Sequence, residues 1–232
     1  MEKCLNIGVI ILLIGLFFGC NSETNETNSE NTNTTETTTI TGTEETVDKK
    51  TILFLGNSLT AGYQLDPNDA FPALIEAKCD SVGLNYKTVN GGISGETTAG
   101  GKDRIDWMLR KEIDVLVLEL GGNDGLRGID PKSSYENLQF IIDQTKAKYP
   151  ECKILLAGME APPNMGKKFT DEFRGIYQKL AKENELALIP FLLEGVGGIP
   201  ELNLPDGIHP TEEGHKIVAN TIWKYLKPLL VE

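Results

Sequence analysis

The chain has 232 residues, 40% of them hydrophobic, which is enough for one α/β domain of ordinary size. Its formal net charge of −12 argues against a nucleic-acid partner, which would need a basic face. No C-x-x-C, H-E-x-x-H or G-x-x-x-x-G-K-[ST] pattern is present, so the sequence indicates neither a metal centre nor a nucleotide site.

Residues 1–20 are typical of an export signal. Lys3 supplies the positive start, and the largely apolar run from Leu5 to Phe18 is too short for a comfortable transmembrane helix. The closing Gly19-Cys20 resembles the processing site of bacterial lipoproteins, where Cys20 would be lipidated. We therefore predict an exported lipoprotein signal, and the alternative is a signal that is uncleaved or cleaved elsewhere.

Residues 21–50 are mostly Thr, Asn, Ser and Glu, with almost no apolar side chains. Such a segment cannot bury enough surface to offset its ordering entropy, so we expect a disordered linker. It would tether a domain at 51–232 to a cell-envelope membrane through Cys20, or be a solvated spacer with no specific role. The outer membrane or periplasm is favoured, because Ser22 is not the aspartate associated with inner-membrane retention.

From Thr51 onward, apolar strands alternate with amphipathic helices. Strands are predicted near 51–55, 86–90, 113–119, 153–158 and 186–190. Helices are predicted near 69–82, 97–111, 133–149, 168–184 and 211–226. This alternation predicts an α/β fold in which both faces of a parallel sheet are covered. No second domain is indicated, and we expect a monomer.

Four polar, glycine-bearing stretches follow predicted strands. They are Gly56-Asn57-Ser58 after the first, Asn90 to Thr97 after the second, Gly121 to Gly125 after the third, and Asp206 to Pro210 before the last helix. Ligands bind outside the carboxyl ends of strands in such sheets, so the fold would gather these stretches at one edge. The loop 161–166 follows the fourth strand at the same edge, and we predict that it borders a pocket.

The side chains on these stretches have complementary chemistry. Ser58 offers a nucleophilic oxygen, although a serine in such a turn is more often a helix N-cap. His209 could act as its base, and Asp206 could fix the imidazole tautomer. The N–H groups of Ser58 and Gly95 and the amide of Asn123 would form an oxyanion hole. Together, these groups have the chemistry that acyl transfer requires.

The four stretches, in this order, resemble the conserved blocks of the SGNH (GDSL) hydrolases. The four residues that name the family fall on Ser58, Gly95, Asn123 and His209. Within the family, the chain is most similar to the bacterial arylesterase, acyl-CoA thioesterase and lysophospholipase group. The likeness covers roughly 51–230 and is close at 118–128, 177–183 and 206–210.

The resemblance implies a flavodoxin-like three-layer α/β/α sandwich with a five-stranded parallel sheet in the order 2-1-3-4-5. It also implies a triad of Ser58, His209 and Asp206, an oxyanion hole from Ser58, Gly95 and Asn123, and no cofactor. The expected activity is hydrolysis of small acyl esters, acyl thioesters or lysophospholipids through an acyl-enzyme.

One residue departs from the family pattern. The usual Gly-Asp-Ser-Leu is Gly56-Asn57-Ser58-Leu59 in this chain. Because asparagine can make similar turn hydrogen bonds, we expect altered local electrostatics rather than lost activity.

Two other functions stay open on the sequence, and a third is disfavoured. A carbohydrate O-deacetylase would use the same triad. A non-catalytic envelope lipoprotein would bind lipid or sugar in an inherited pocket. A flavin-binding protein of flavodoxin type also has a loop after its first strand, but the loop here has too few hydroxyl groups for that.

Further polar residues have both structural and functional interpretations. Glu119 is either a strand-end residue in solvent or a buried brace for the site loops, with the brace slightly favoured. We predict that His215 is exposed or partly packed, and that Asp124 is a helix cap or turn residue. Cys79 and Cys152 could pair or remain free buried thiols.

Overall fold

The computed structural model describes residues 48–231, and at their centre lies a five-stranded parallel sheet. Its strands are β1 (Lys50–Gly56), β2 (Tyr86–Gly92), β3 (Val115–Glu119), β4 (Lys153–Ala157) and β5 (Ala187–Ile189). Their spatial order is β2-β1-β3-β4-β5, as predicted. Every residue of β3 is buried, because this central strand is covered on both faces.

Two groups of helices cover the sheet. In chain order the α-helices of the described residues are α1 (Ser58–Ala61), α2 (Phe71–Ser81), α3 (Thr98–Met108), α4 (Gly122–Arg127), α5 (Pro131–Lys148), α6 (Lys167–Asn184) and α7 (Glu212–Val231). Helix α5 contacts both α3 and α6, while α2 contacts α7. This arrangement is the predicted three-layer α/β/α sandwich.

The structure departs from the predicted helices in two ways. The short α1 and α4 were not predicted, since one or two turns contain too few residues for a helical periodicity. Helix α7 continues past Pro228 to Val231, beyond its predicted end at 226. Leu230 lies in the core there, and Lys153 Nζ donates to the Leu229 carbonyl at 2.7 Å, which supports the last turn.

The predictions for the N-terminal region lie mostly outside the described residues. The signal, Cys20 and the linker as far as residue 47 fall there, and β1 begins at Lys50, the last residue assigned to the linker. Within residues 48–231, no helix combines the length and apolar character that crossing a bilayer requires. Cys79 and Cys152 are both buried free thiols, so the pairing that the sequence left open is not formed.

Candidate active site

The carboxyl ends of three neighbouring strands lie level with one another. Gly56, the last residue of β1, is in register with Gly92 of β2 and Glu119 of β3. The loops that follow these strands therefore start from the same edge of the sheet, as the sequence predicted. A hydrogen bond from Ile93 N to the Gly56 carbonyl, 3.0 Å long, ties the second loop to the first.

Ser58, His209 and Asp206 form a continuous chain of hydrogen bonds. Ser58 Oγ lies 2.8 Å from His209 Nε2, and His209 Nδ1 lies 2.7 Å from Asp206 Oδ2. Ser58 is the first residue of α1, and the N-cap is Asn57, whose Oδ1 accepts from Leu59 N at 2.9 Å. The alternative in which Ser58 is itself the cap is therefore wrong, and its hydroxyl contacts the imidazole instead.

Asp206 is held in a turn that favours its ionised form. Its Oδ1 accepts hydrogen bonds from the backbone N–H groups of Ile208 at 2.9 Å and His209 at 3.0 Å. These bonds and the bond to the imidazole lower the pKa of Asp206 to about 2, the largest effect coming from the His209 backbone N–H. The side chain therefore faces His209 Nδ1 as an acceptor at neutral pH.

The segment that carries His209 is fastened from two sides. Leu204 N donates to the His209 carbonyl at 2.7 Å, next to an antiparallel bridge between Asn203 and Pro210. The Tyr63 ring lies on the imidazole, with 4.4 Å between centroids and 38° between planes. Sequence reasoning did not single out Tyr63, because its approach to His209 depends on how two distant loops meet.

Gly95 and Asn123, two of the three predicted oxyanion donors, lie on segments that are hydrogen-bonded to each other. Asn123, on α4, donates through Nδ2 to the Glu96 carbonyl at 2.9 Å, which uses one of its two amide hydrogens. Arg127 Nη2 donates to the Gly95 carbonyl at 3.0 Å, and Gly95 has a left-handed φ of 81°. The structure therefore brings Gly95 and Asn123 together, although Asn123 lines the cavity beside Ser58 and Gly95 does not.

Glu119 is completely buried at the end of β3, which excludes the alternative in which it meets solvent. Its carboxylate accepts from Asn57 N at 3.1 Å, Asn57 Nδ2 at 2.8 Å and Thr60 Oγ1 at 2.8 Å. Burial raises the pKa of Glu119 to about 7, while these hydrogen bonds act in the opposite direction. Glu119 thus braces the turn on both sides of Ser58.

The second histidine, His215, is more deeply buried than the sequence predicted. His215 is only 1% exposed, accepts from Phe71 N through Nδ1 at 3.1 Å, and stacks on the Phe71 ring. The prediction of an exposed or partly packed residue is wrong, because α7 turns this face onto the start of α2. Burial lowers the pKa of His215 to about 4, so it is a neutral structural acceptor. Within residues 48–231, no group of three or more His, Cys, Asp or Glu side chains is arranged to hold a metal ion.

Asp124 joins three elements behind the site. It is 1% exposed and accepts from Thr98 N at 2.9 Å, Thr98 Oγ1 at 2.5 Å and Ser134 Oγ at 3.0 Å. Asp124 lies inside α4, whose N-cap is Gly121, so it is neither the cap nor the turn residue that the sequence predicted; its carboxylate instead accepts from Thr98 N, a donor at the start of α3 that has no partner within the helix.

A cavity of about 480 Å³ opens beside Ser58 and His209. Besides the polar groups, apolar side chains from several loops line it: Leu59, Leu126, Met159, Ala161, Pro162, Pro163, Phe191, Leu193 and Ile208. The loop 161–166 thus borders the cavity, as predicted, through its first three residues. A pocket with apolar walls and a few convergent polar groups suits a ligand with a hydrocarbon portion.

Comparison with known proteins gives a consistent result. The profile of the GDSL-like lipase/acylhydrolase family matches residues 54–217. The chain is 39% identical over 182 residues to the esterase TesA of Pseudomonas aeruginosa, covering 78% of this chain and 90% of that protein. It is also 39% identical over 181 residues to thioesterase 1/protease 1/lysophospholipase L1 of Escherichia coli, covering 78% and 85% of the two chains. A crystal structure of TesA superposes with a TM-score of 0.75 at 38% identity, covering 78% of this chain and 100% of that one.

Proposed function

The chain belongs to the GDSL-like lipase/acylhydrolase family, and from this premise we propose that it is a serine hydrolase of acyl esters and thioesters that works through a Ser58–His209–Asp206 triad. The observation that carries the proposal is the unbroken contact from Ser58 Oγ through the His209 ring to Asp206, at 2.8 and 2.7 Å. Family membership supports the reaction class, and the contact supports these three residues as its agents.

The contact supports an ordered transfer of one proton. His209 Nε2 accepts the Ser58 hydroxyl proton while Oγ forms a bond to the carbonyl carbon of the substrate. Asp206 keeps Nδ1 protonated and stabilises the imidazolium that results. The imidazolium then gives its proton to the departing alcohol or thiol. A water molecule, deprotonated by His209, releases the acyl group from Ser58 in the second half of the reaction.

The negative charge that develops on the carbonyl oxygen needs donors in place beforehand. We assign this role to the N–H groups of Ser58 and Gly95 and to the Asn123 amide. Ser58 N is at the first position of α1, where a backbone N–H has no partner within the helix. The bond from Asn123 to the Glu96 carbonyl leaves its second amide hydrogen available.

The cavity supports an acyl chain longer than acetyl. Its apolar walls include Met159, Pro162 and Phe191, and its volume of about 480 Å³ exceeds what an acetyl group fills. This lining favours the arylesterase, thioesterase or lysophospholipase type of substrate over the acetylated sugar of an O-deacetylase.

We expect hydrolysis by the full-length protein to peak at short-to-medium acyl chains. The panel would contain p-nitrophenyl esters from acetate to palmitate, an acyl-CoA, a lysophospholipid and an acetylated sugar, each assayed beside the Ser58→Ala variant. A preference for the acetylated sugar would contradict the proposed substrate class and favour the deacetylase. Absence of Ser58-dependent turnover on every substrate would contradict the enzymatic proposal and favour a binding protein.

We also propose that the enzyme is exported and anchored to a cell-envelope membrane through a lipid on Cys20, with the outer membrane or periplasm as its destination. The sequence pattern that ends in Gly19-Cys20 supports this proposal. Long-chain lipid on Cys20 and the polar residues that follow it would hold the domain near acyl substrates in the envelope.

Replacing Cys20 with serine should move the protein from the membrane fraction to the soluble fraction, because the thiol that carries the lipid is lost. The measurement is the distribution of the full-length protein after fractionation of expressing cells. The matched control is Cys79→Ser, which changes a thiol elsewhere in the chain. Equal membrane association of the Cys20→Ser variant and the unsubstituted protein would contradict the anchor.

A further inference from the structure

The turn that presents Ser58 is fastened to the sheet by a single buried carboxylate. Glu119 takes hydrogen bonds from Asn57, directly before Ser58, and from Thr60, two residues after it. Both neighbours are buried, with Asn57 at 2% and Thr60 at 0% exposure. This buried carboxylate therefore holds the backbone on both sides of Ser58.

Gly56 makes room for this contact. A β-carbon on Gly56 would lie 2.0 Å from Thr60 Oγ1 and 2.6 Å from Glu119 Oε2, so no other residue fits there without displacing the bond between them. Gly56 and Glu119 are also direct partners in the β1–β3 register. The glycine before the nucleophile turn is thus explained by the carboxylate on the neighbouring strand.

Asn57 can be oriented in only one way. Its Oδ1 accepts from Leu59 N at 2.9 Å and caps α1, so its Nδ2 must be the atom that faces Glu119 Oε1 at 2.8 Å. All three groups around the Glu119 carboxylate are therefore used as donors, and an ionised carboxylate, which only accepts, matches them.

We propose that Asn57 and Glu119 form a positioning pair for the Ser58 nucleophile. The hydrogen bond from the Asn57 amide to the Glu119 carboxylate holds the turn in its reactive geometry. The proposal rests on the proposed function, since it concerns the turnover of the same serine. Neither side chain touches the reacting atoms in this role; both act through the backbone and side chains that flank Ser58.

Other ionisable groups approach this pair without replacing it. On α6, the buried Tyr177 hydroxyl donates to the Leu120 carbonyl at 2.9 Å, and its pKa is raised by burial first, and further by the charges of Asp124 and Glu119. On α3, Arg104 contacts the Gly56 carbonyl at 3.4 Å and is paired with Glu96. Neither contact supplies Glu119 with a hydrogen bond, so its hydrogen-bond partners come from Asn57 and Thr60.

The contact with Glu119 also explains the effect of having asparagine at position 57, where the usual Gly-Asp-Ser-Leu pattern has aspartate. A carboxyl at position 57 would face Glu119 Oε1 across the 2.8 Å now spanned by the amide. Two carboxylates at such a short distance cannot both be ionised, so the pair would have to share one proton, and this proton would be lost as pH rises. The amide of Asn57 does not titrate, so it can donate to the ionised Glu119 carboxylate at alkaline pH and keep the turn intact.

The first test uses Asn57→Asp in the full-length protein. We expect turnover near that of the unsubstituted enzyme at about pH 6, followed by a loss of roughly tenfold relative to it by about pH 9, as the shared proton leaves and the carboxylates repel. The measurement is kcat against pH with a p-nitrophenyl ester. A profile that parallels that of the unsubstituted enzyme across this range would overturn the proposal.

The second test reverses the donor and the acceptor. Glu119→Gln puts an NH₂ group against at least one of the three donors, and we expect kcat to fall about 10- to 100-fold, with KM changed less than about threefold. Combining it with Asn57→Asp reverses only the side-chain bond: the new amide donates to the new carboxylate, which still caps Leu59 N, while the glutamine oxygen still accepts from the backbone N–H of residue 57 and from Thr60 Oγ1. We expect the double variant to recover to within about threefold of the unsubstituted enzyme.

The controls separate this proposal from the function on which it rests. Glu112→Gln removes one charge from an exposed residue just before β3 and should leave kcat unchanged. If the unsubstituted enzyme has no Ser58-dependent turnover, the proposed function itself fails. If it has such turnover, and Glu119→Gln keeps full activity or the double variant stays as slow as Glu119→Gln, only the positioning pair is overturned. Should Glu119→Gln not fold, the pH profile of Asn57→Asp decides.

Discussion

Replacing Ser58 with alanine is expected to lower kcat for ester hydrolysis by about 10⁵- to 10⁶-fold. The alanine removes the oxygen that would form the acyl-enzyme, and no other hydroxyl is bonded to His209 within the described residues. A small rate above the uncatalysed reaction should persist, because the proposed oxyanion donors and the cavity remain. The measurement is single-substrate kinetics with the ester that the panel shows to be best.

The fold should tolerate this change. Ser58 is 8% exposed, and its Oγ makes one side-chain hydrogen bond, so the loss of stability should be about 1 kcal/mol. Thermal unfolding would verify this, with Ser133→Ala as the matched control, since Ser133 is an exposed serine on α5. A folded Ser58→Ala protein with undiminished turnover would show that Ser58 is not the nucleophile.

The layout of the fold could be predicted because it depends on local patterns. Continuous apolar runs such as residues 115–118 indicate buried parallel strands, and glycine-rich stretches that follow them mark the strand ends. Parallel strands bring their carboxyl ends to one edge, so the spacing of Ser58, Asn123 and His209 along the chain was no obstacle to placing them together. The resemblance to a known family supplied the sheet order.

What could not be predicted depends on contacts between distant elements. Nothing near His215 in the sequence indicates that α7 rotates it onto Phe71, so its burial was missed. The Tyr63 ring contacts the His209 ring, although the two residues are 146 positions apart in the sequence. A charge inside an apolar strand did single out Glu119, but its partners emerge only when α1 closes over the end of β3.

Replacing Asp206 with asparagine is expected to lower kcat by up to about 10⁴-fold without disturbing the turn. The amide oxygen can take the place of Oδ1 and still accept from the N–H groups of Ile208 and His209. The amide nitrogen then replaces Oδ2, which lies 2.7 Å from His209 Nδ1. Because an NH₂ group donates, Nδ1 must become the acceptor, and the ring proton moves to Nε2.

That tautomer cannot accept the proton of Ser58, since the nitrogen that faces its hydroxyl at 2.8 Å already carries a hydrogen. The deficit should appear mainly in kcat, and Asp130→Asn is the matched control, because Asp130 likewise accepts from a backbone N–H two residues on. With a pKa of about 2, Asp206 stays ionised as pH falls through the working range, so the acid side of the unsubstituted enzyme's rate profile should not follow its protonation. If Asp206→Asn retains full activity at neutral pH, the tautomer is held by another group, and Asp206 serves the turn rather than the reaction.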